Sequence, residues 1–352
     1  MKRLLGNLPA IAAGAVIGVA LCEVLVRVFV PDPRFTMENR IGMWAPDSLA
    51  GYRNKAGFHT HAQFFVPVDT NSLGFRGREV AVAKPSGTFR IVGVGDSVTW
   101  GVGLRDEDTF LRVLERTLND GSNHASSFEA INAGVAGYST YQELQTLRRD
   151  GLRLSPDVVL VGFVHNDFYP SEDPFHNVQA LHQPQRQDVG EREYAPAPAG
   201  PRLAMLDFAR AEAMLLRERW RRDRLRVPEY AGDVLAMEPS SEFEKGALAV
   251  MEEQFREFKR LADLHRFRLT VLIFPIYPAA KSLSSSPFPQ NWLRAFLASE
   301  GIDYIDLFDP LRRHPDDVFL DWRHFTPEGN RVIADEVLRH LKEKRWLPAQ
   351  GG

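Results

Sequence analysis

Ser97, Gly137, Asn166, Asp321 and His324 are the positions of this 352-residue chain whose types and spacing can do chemistry together. Ser97 ends the run Phe89 to Ser97, in which Ile91, Val92 and Val94 lead into Gly95-Asp96-Ser97. A serine hydroxyl is a weak nucleophile and needs a base. His324 can be that base, because an imidazole titrates near neutral pH. Asp321, three residues earlier, can hold the ring from its other nitrogen and stabilise the imidazolium. An oxyanion needs preorganised donors, and the N–H groups of Ser97 and Gly137 with the Asn166 amide offer three. Each piece also has a plain structural reading. Asp96 or Ser97 can cap a helix, His324 can sit at a helix entry on the surface, Asn166-Asp167 can be turn chemistry, and Gly137 can relax a loop. The joint pattern favours the chemical reading over all of these together. A dinucleotide fingerprint fits poorly, since Val98 stands where the third glycine belongs, and the Gly-Lys-Ser/Thr of a phosphate loop is missing.

The elements that must position these residues alternate. Ile91 to Val94 reads as a buried parallel strand, with Gly93 and Gly95 expected to let a substrate approach the backbone. Phe110, Leu111, Val113, Leu114 and Leu118 follow helical spacing, started by Asp106 or Asp108 and stopped by Gly121. Phe128 to Asn132 is a second strand, and Ser139-x-x-Gln142 is a capping box opening the next helix. Asp157 to Phe163 is a third strand, Leu269 to Phe274 a fourth and Tyr304 to Leu307 a fifth. A long amphipathic helix runs from Ser241 past Phe255, Phe258 and Leu261. Thr326 as N-cap with Pro327 at the first helical position opens the last helix. Strands alternating with helices predict a parallel sheet covered on both faces. In such a sheet the strand-following loops, which carry Ser97, Gly137 and Asn166, share one edge.

Composition narrows the rest. A formal net charge of -3 gives no reason to expect nucleic acid as partner. The single cysteine, Cys22, excludes an internal disulfide and a cysteine-based zinc site, and the ten histidines show no metal-ligand spacing. No cofactor is expected. After Lys2 and Arg3, Leu8 to Val30 is almost wholly apolar, broken by Glu23 and Arg27, which four residues apart can pair on one helix face. As a helix it measures about 34 Å, enough for a hydrocarbon core of about 30 Å. The expectation is a single-pass transmembrane helix that anchors the chain in the cytoplasmic membrane, with the remainder on the periplasmic, extracytoplasmic side. The rivals are a cleaved signal peptide, for which no small-x-small site follows, and a lipid-modified Cys22, preceded by the bulky Leu21.

The division expected is an anchor over 1–30, an irregular β-containing arm over 31–88, and a catalytic domain over 89–345 interrupted by an insert at 168–240. Asn71 to Gly77 in the arm reads as a surface loop. The insert contains Arg202 to Arg226, with eight arginines against four acids. It is expected to roof the cleft, with Arg217, Arg219, Arg221 and Arg222 favouring an anionic or membrane-bound substrate.

Gly95-Asp96-Ser97, Gly134-Val135-Ala136-Gly137, Asn166-Asp167 and Asp321-Trp322-Arg323-His324 together resemble the sequence blocks of the SGNH or GDSL hydrolases. The resemblance runs from about Phe89 to Leu341, omitting the insert. It implies a three-layer α/β/α, flavodoxin-like doubly wound fold, a catalytic Ser97–His324–Asp321 triad, and Ser97, Gly137 and Asn166 as oxyanion donors. The chain departs from the family pattern at Val164, where the family has glycine two residues before the asparagine. The arm and the N-terminal segment look similar to a membrane-linked bacterial branch. The function expected is a membrane-anchored serine esterase acting on an acyl ester, an acetylated cell-surface glycan among the candidates. An O-acyltransferase with the same triad and a non-catalytic glycan-binding protein of the same fold are the alternatives.

Overall fold

A computed structural model describes residues 8–29, 43–60, 66–120, 126–167, 205, 206, 209, 213, 216, 220, 242–283, 288, 290–314 and 317–348. In chain order, α1 (Leu8–Phe29) precedes two antiparallel pairs, β1 (Trp44–Asp47) with β2 (Gly51–Asn54) and β3 (His59–Thr60) with β4 (Val68–Asp69). Then come β5 (Thr88–Val94), α2 (Ser97–Trp100), α3 (Phe110–Asp120), β6 (Ser127–Asn132), α4 (Thr140–Thr146) and β7 (Val158–Phe163). The chain continues with α5 (Glu242–His265), β8 (Arg268–Ile273), α6 (Tyr277–Ser282), α7 (Gln290–Ser299), β9 (Asp303–Asp306), α8 (Phe308–Arg313) and α9 (Pro327–Glu343).

The five main strands pair in the order β6-β5-β7-β8-β9, all parallel. This is the flavodoxin order, and the direction of winding reverses between β5 and β7. The strands are apolar on both faces because both faces are covered. Val92 and Val94 of β5, Val159, Val161 and Phe163 of β7, and Val271 and Ile273 of β8 pack on one side with Phe255, Phe258 and Leu261 of α5 and Leu293 of α7. Ile91, Val158, Leu160 and Leu272 point the other way, into a core with Leu111 and Leu114 of α3 and Ile333, Val337 and Leu341 of α9. The period of two along each strand thus feeds two helix layers, giving the three-layer architecture.

Packing requires glycine at both Gly93 and Gly95. A Cβ at Gly93 would lie 2.5 Å from Leu111 Cδ1, and one at Gly95 2.0 Å from Thr99 Oγ1. The capping box forms, with Ser139 N donating to Gln142 Oε1 at 3.0 Å. Thr326 caps α9, its hydroxyl accepting from Gly329 N at 3.2 Å.

Three expectations need correction or restriction. Asn71 to Gly77 is not a surface loop, since Asn71, Phe75 and Arg76 are buried. The segment looked exposed because its turn chemistry is local, whereas its burial comes from contacts with residues far along the chain. The N-terminal stretch does form a helix, α1, with Arg27 Nε donating to Glu23 Oε1 at 2.7 Å. Among the described residues, however, no helix is long and apolar enough to cross a membrane. The insert at 168–240, with Arg217, Arg219, Arg221 and Arg222, falls almost wholly outside the described residues.

The aromatic knot under the sheet offers a direct check. Phe255 is fully buried and its ring meets those of Phe163, Phe258 and Phe296. Phe255→Ala is expected to lower stability by about 3–5 kcal/mol. Urea unfolding should show a lower midpoint with an unchanged slope. A shift below about 1 kcal/mol would mean the layer is loosely packed.

Candidate active site

The first loop follows β5. Asp96 caps α2, its Oδ1 accepting from Val98 N at 2.8 Å. The capping reading of Asp96 is therefore correct, and it makes Ser97 the first helical residue, its hydroxyl 3.3 Å from Asp96 Oδ2 and within reach of another loop. That loop lies 227 positions along, just before α9. His324 Nε2 and Ser97 Oγ are 2.9 Å apart, and His324 Nδ1 is 2.6 Å from Asp321 Oδ2. His324 is 3% exposed rather than on the surface.

Asp321 is fixed by more than the ring. Its Oδ1 accepts from the backbone N–H of Arg323 at 2.9 Å and of His324 at 2.8 Å. Burial works against ionisation of Asp321. The His324 charge, the ring hydrogen bond and these two N–H donors outweigh it and hold the carboxyl well below the usual carboxylate range. The arrangement presents a hydroxyl, an imidazole and a carboxylate in line, with Nε2 on the serine side, which is the geometry for moving the serine proton.

Helix packing brings the two loops together. The side chain of Asn330 in α9 accepts from Phe110 N at 3.0 Å, so the helix after His324 caps the helix after Ser97. Gly137 lies in the loop between β6 and α4 with a left-handed backbone, φ 86°, a conformation glycine adopts without strain. Asn166 lies in the single turn His165–Asp167 after β7, and its side chain is outside the described residues. Val164, where the family pattern has glycine, is fully buried. Its N–H donates to Asp167 Oδ2 at 2.8 Å, closing that turn.

The sequence reading missed what the arm does. Arg76 is 4% exposed, and its Nη1 donates to Trp100 O at 2.6 Å and Gly101 O at 2.7 Å. Its Nη2 donates to Leu104 O. The guanidinium thus ties down the carbonyls at the end of the Ser97 helix, the end that favours a cation. Burial lowers its pKa to about 10, with Asp106 opposing the shift, so the charge persists at neutral pH. β2 holds the second loop in the same way. Tyr52 Oη donates to Ala136 O at 3.0 Å and Asn54 Nδ2 to Gly134 O at 3.2 Å. A Cβ on Gly134 would stand 2.6 Å from Trp100 N, so the second loop lies directly on α2. The Asn-Ser-x-Gly-Phe-Arg-Gly segment was the available signal, an arginine beside an aromatic among turn residues.

The GDSL-like Lipase/Acylhydrolase family pattern matches residues 94–332, from the last residue of β5 into α9. The chain belongs to this family. That membership makes it a GDSL-type serine hydrolase of ester bonds. Among curated proteins, none matches the chain. Among solved structures, a lipase/acylhydrolase from Enterococcus faecalis is similar at 14% identity and TM-score 0.43, over 75% of this chain and 100% of that one. The acetyl xylan esterase AlAXEase is similar at 14% identity and TM-score 0.42, over 72% of this chain and 100% of that one. Likenesses this low say nothing about the substrate here.

Asp321→Asn keeps the shape of the carboxylate and removes its charge. It is expected to lower kcat on p-nitrophenyl acetate by about 10³–10⁴-fold with the circular-dichroism spectrum unchanged. A loss under about tenfold would take Asp321 out of the proton relay.

Proposed function

We propose that the protein is a serine esterase in which Ser97 attacks the ester carbonyl. His324 takes the hydroxyl proton through Nε2 and returns it to the leaving alcohol, while Asp321 orients the ring and balances its charge. Water then resolves the acyl-enzyme by the same route. The observation that carries this reading is the hydrogen-bonded line from Ser97 Oγ to His324 Nε2 and from Nδ1 to Asp321 Oδ2. The N–H groups of Ser97 and Gly137 with the Asn166 amide are the oxyanion donors in this reading. An activated serine needs no cofactor for this step.

The substrate proposed is an oxygen ester on the outer side of the cytoplasmic membrane, an acetylated cell-surface glycan in particular. Support for the membrane part comes from α1, where Val16, Ile17, Leu21, Val24, Leu25 and Val28 are exposed. An apolar helix face left open to water favours burial in lipid, at roughly 25 cal/mol per Å².

Ser97→Ala is the decisive variant. It should abolish both ester turnover and labelling by a serine-reactive phosphonate, and wild-type labelling at any other residue would sink the reading. Product analysis with and without a sugar acceptor separates hydrolysis from acyl transfer. Full-length protein should stay with membranes through a carbonate wash, and its recovery in the soluble fraction would remove the anchor from the proposal.

A further inference from the structure

Behind Ser97 lies a group of acids that the proton relay does not use. Glu143 in α4 is 1% exposed, and neither of its carboxyl oxygens meets a hydrogen-bond donor. Asp167, in the turn after β7, is also buried. Its Oδ2 accepts from Val164 N, while its Oδ1 meets no donor. Asp96, next to the serine, is 1% exposed, with Oδ1 on Val98 N and Oδ2 3.3 Å from Ser97 Oγ. The hydroxyls of Thr99 and Thr140 are buried in these same segments without partners. These acids stand on three different segments. Asp96 leads into α2, Asp167 follows the neighbouring strand β7, and Glu143 lies in the helix that opens just after the Gly137 loop.

A buried carboxylate without donors is expensive, and two of them side by side in low dielectric repel strongly. Among the described residues neither Glu143 nor Asp167 is in an ion pair. The charges that bear on Glu143 are those of Asp167 and Asp96, and the charge that bears on Asp167 is that of Asp96. Burial first, and these like charges second, push Glu143 and Asp167 well above the usual carboxylate range. A proton between two such groups turns repulsion into a short, charge-assisted O–H···O⁻ hydrogen bond.

We propose that Glu143 and Asp167 share a proton beside Asp96, and that this contact draws the loops carrying Ser97, Gly137 and Asn166 together from behind. Glu143 is then a positioning residue, acting through the loops it joins. The role in catalysis rests on the esterase reading above, whereas the shared proton does not.

The direction of the pH effect follows from where the proton sits. The folded state keeps a proton that the unfolded chain has already lost above the ordinary carboxylate range. The group's contribution to stability is therefore complete in acid and lost as pH rises through the folded value. Urea midpoints of the full chain, measured from about pH 5 to about pH 9, should fall with pH in wild type, and Glu143→Gln should flatten that fall. Glutamine keeps the shape and the donor without the charge. Its kcat on p-nitrophenyl acetate should also hold further into alkali than wild type. Glu143→Ala should lower kcat by about 10²-fold, with a much smaller change in KM, as the loops lose register. An unchanged pH dependence of stability in Glu143→Gln would overturn the shared proton. Loss of kcat in Glu143→Gln equal to that in Glu143→Ala would overturn the positioning role. If Glu143→Ala does not fold, the two Gln measurements decide alone. The urea titration needs no substrate, so a wild type that turns over no ester removes the esterase reading and leaves the proton to be judged separately.

Discussion

The hydrogen bond between Ser97 Oγ and His324 Nε2 joins residues 227 apart, and the rest of the structure can be understood as what makes that distance possible. Neither loop could hold its place alone. Ser97 stands at the end of a strand buried on both faces, where sliding would expose Val92 or Ile91 to the wrong layer. His324 stands before a helix that packs on α3, and Asn330 locks the start of α3 to α9. The hydrophobic effect supplies the force that brings the layers together, but it has no direction. Direction comes from a few polar bonds between loops. Those of Arg76 to the end of α2 and of Tyr52 and Asn54 to the Gly137 loop are the clearest.

How much of this could be read from the chain follows from the range of each interaction. The five strands were legible because burial on two faces forces an unbroken apolar run. The α9 start was legible because Thr326-Pro327 is a local signal, and the Ser139 box likewise. Ser97, Asp321 and His324 stood out as a set, since Asp-x-x-His puts the carboxylate and imidazole within one turn. The structure places Asp321 Oδ2 2.6 Å from the ring. Asn71 to Gly77 failed for the opposite reason. Its residues make turns locally, and nothing local reveals that Arg76 donates to Trp100, Gly101 and Leu104. A guanidinium satisfied by carbonyls is invisible to any rule that seeks a carboxylate partner.

Burial alone does not decide which way a carboxyl group in this fold is pushed. Asp321 receives two backbone N–H groups and an imidazole, and it is held ionised. Glu143 receives no donor and faces like charge, and it is pushed toward its neutral form. His165, buried on Trp322, is lowered to about 3 by burial first and by the Arg323 charge second, so it stays neutral. Pushing neighbouring groups in opposite directions is how a site separates the residue that carries charge from those that do not. Here the carboxylate kept ionised is the one bonded to the imidazole beside Ser97.

The arm changes what counts as the catalytic unit. Residues before β5 would pass for a linker to α1 if judged by their short strands and many turns. Yet removing the guanidinium of Arg76 would leave the carbonyls of Trp100, Gly101 and Leu104 without that donor at the end of the Ser97 helix. Each such loss in a buried place costs about 1–3 kcal/mol. The stability of α2 on its own is small, since four residues make barely one turn. The placement of Ser97 therefore depends on a cation contributed from outside the sheet. The arm fixes the far end of α2 while Asp96 fixes the near end, and the serine is held between the two caps.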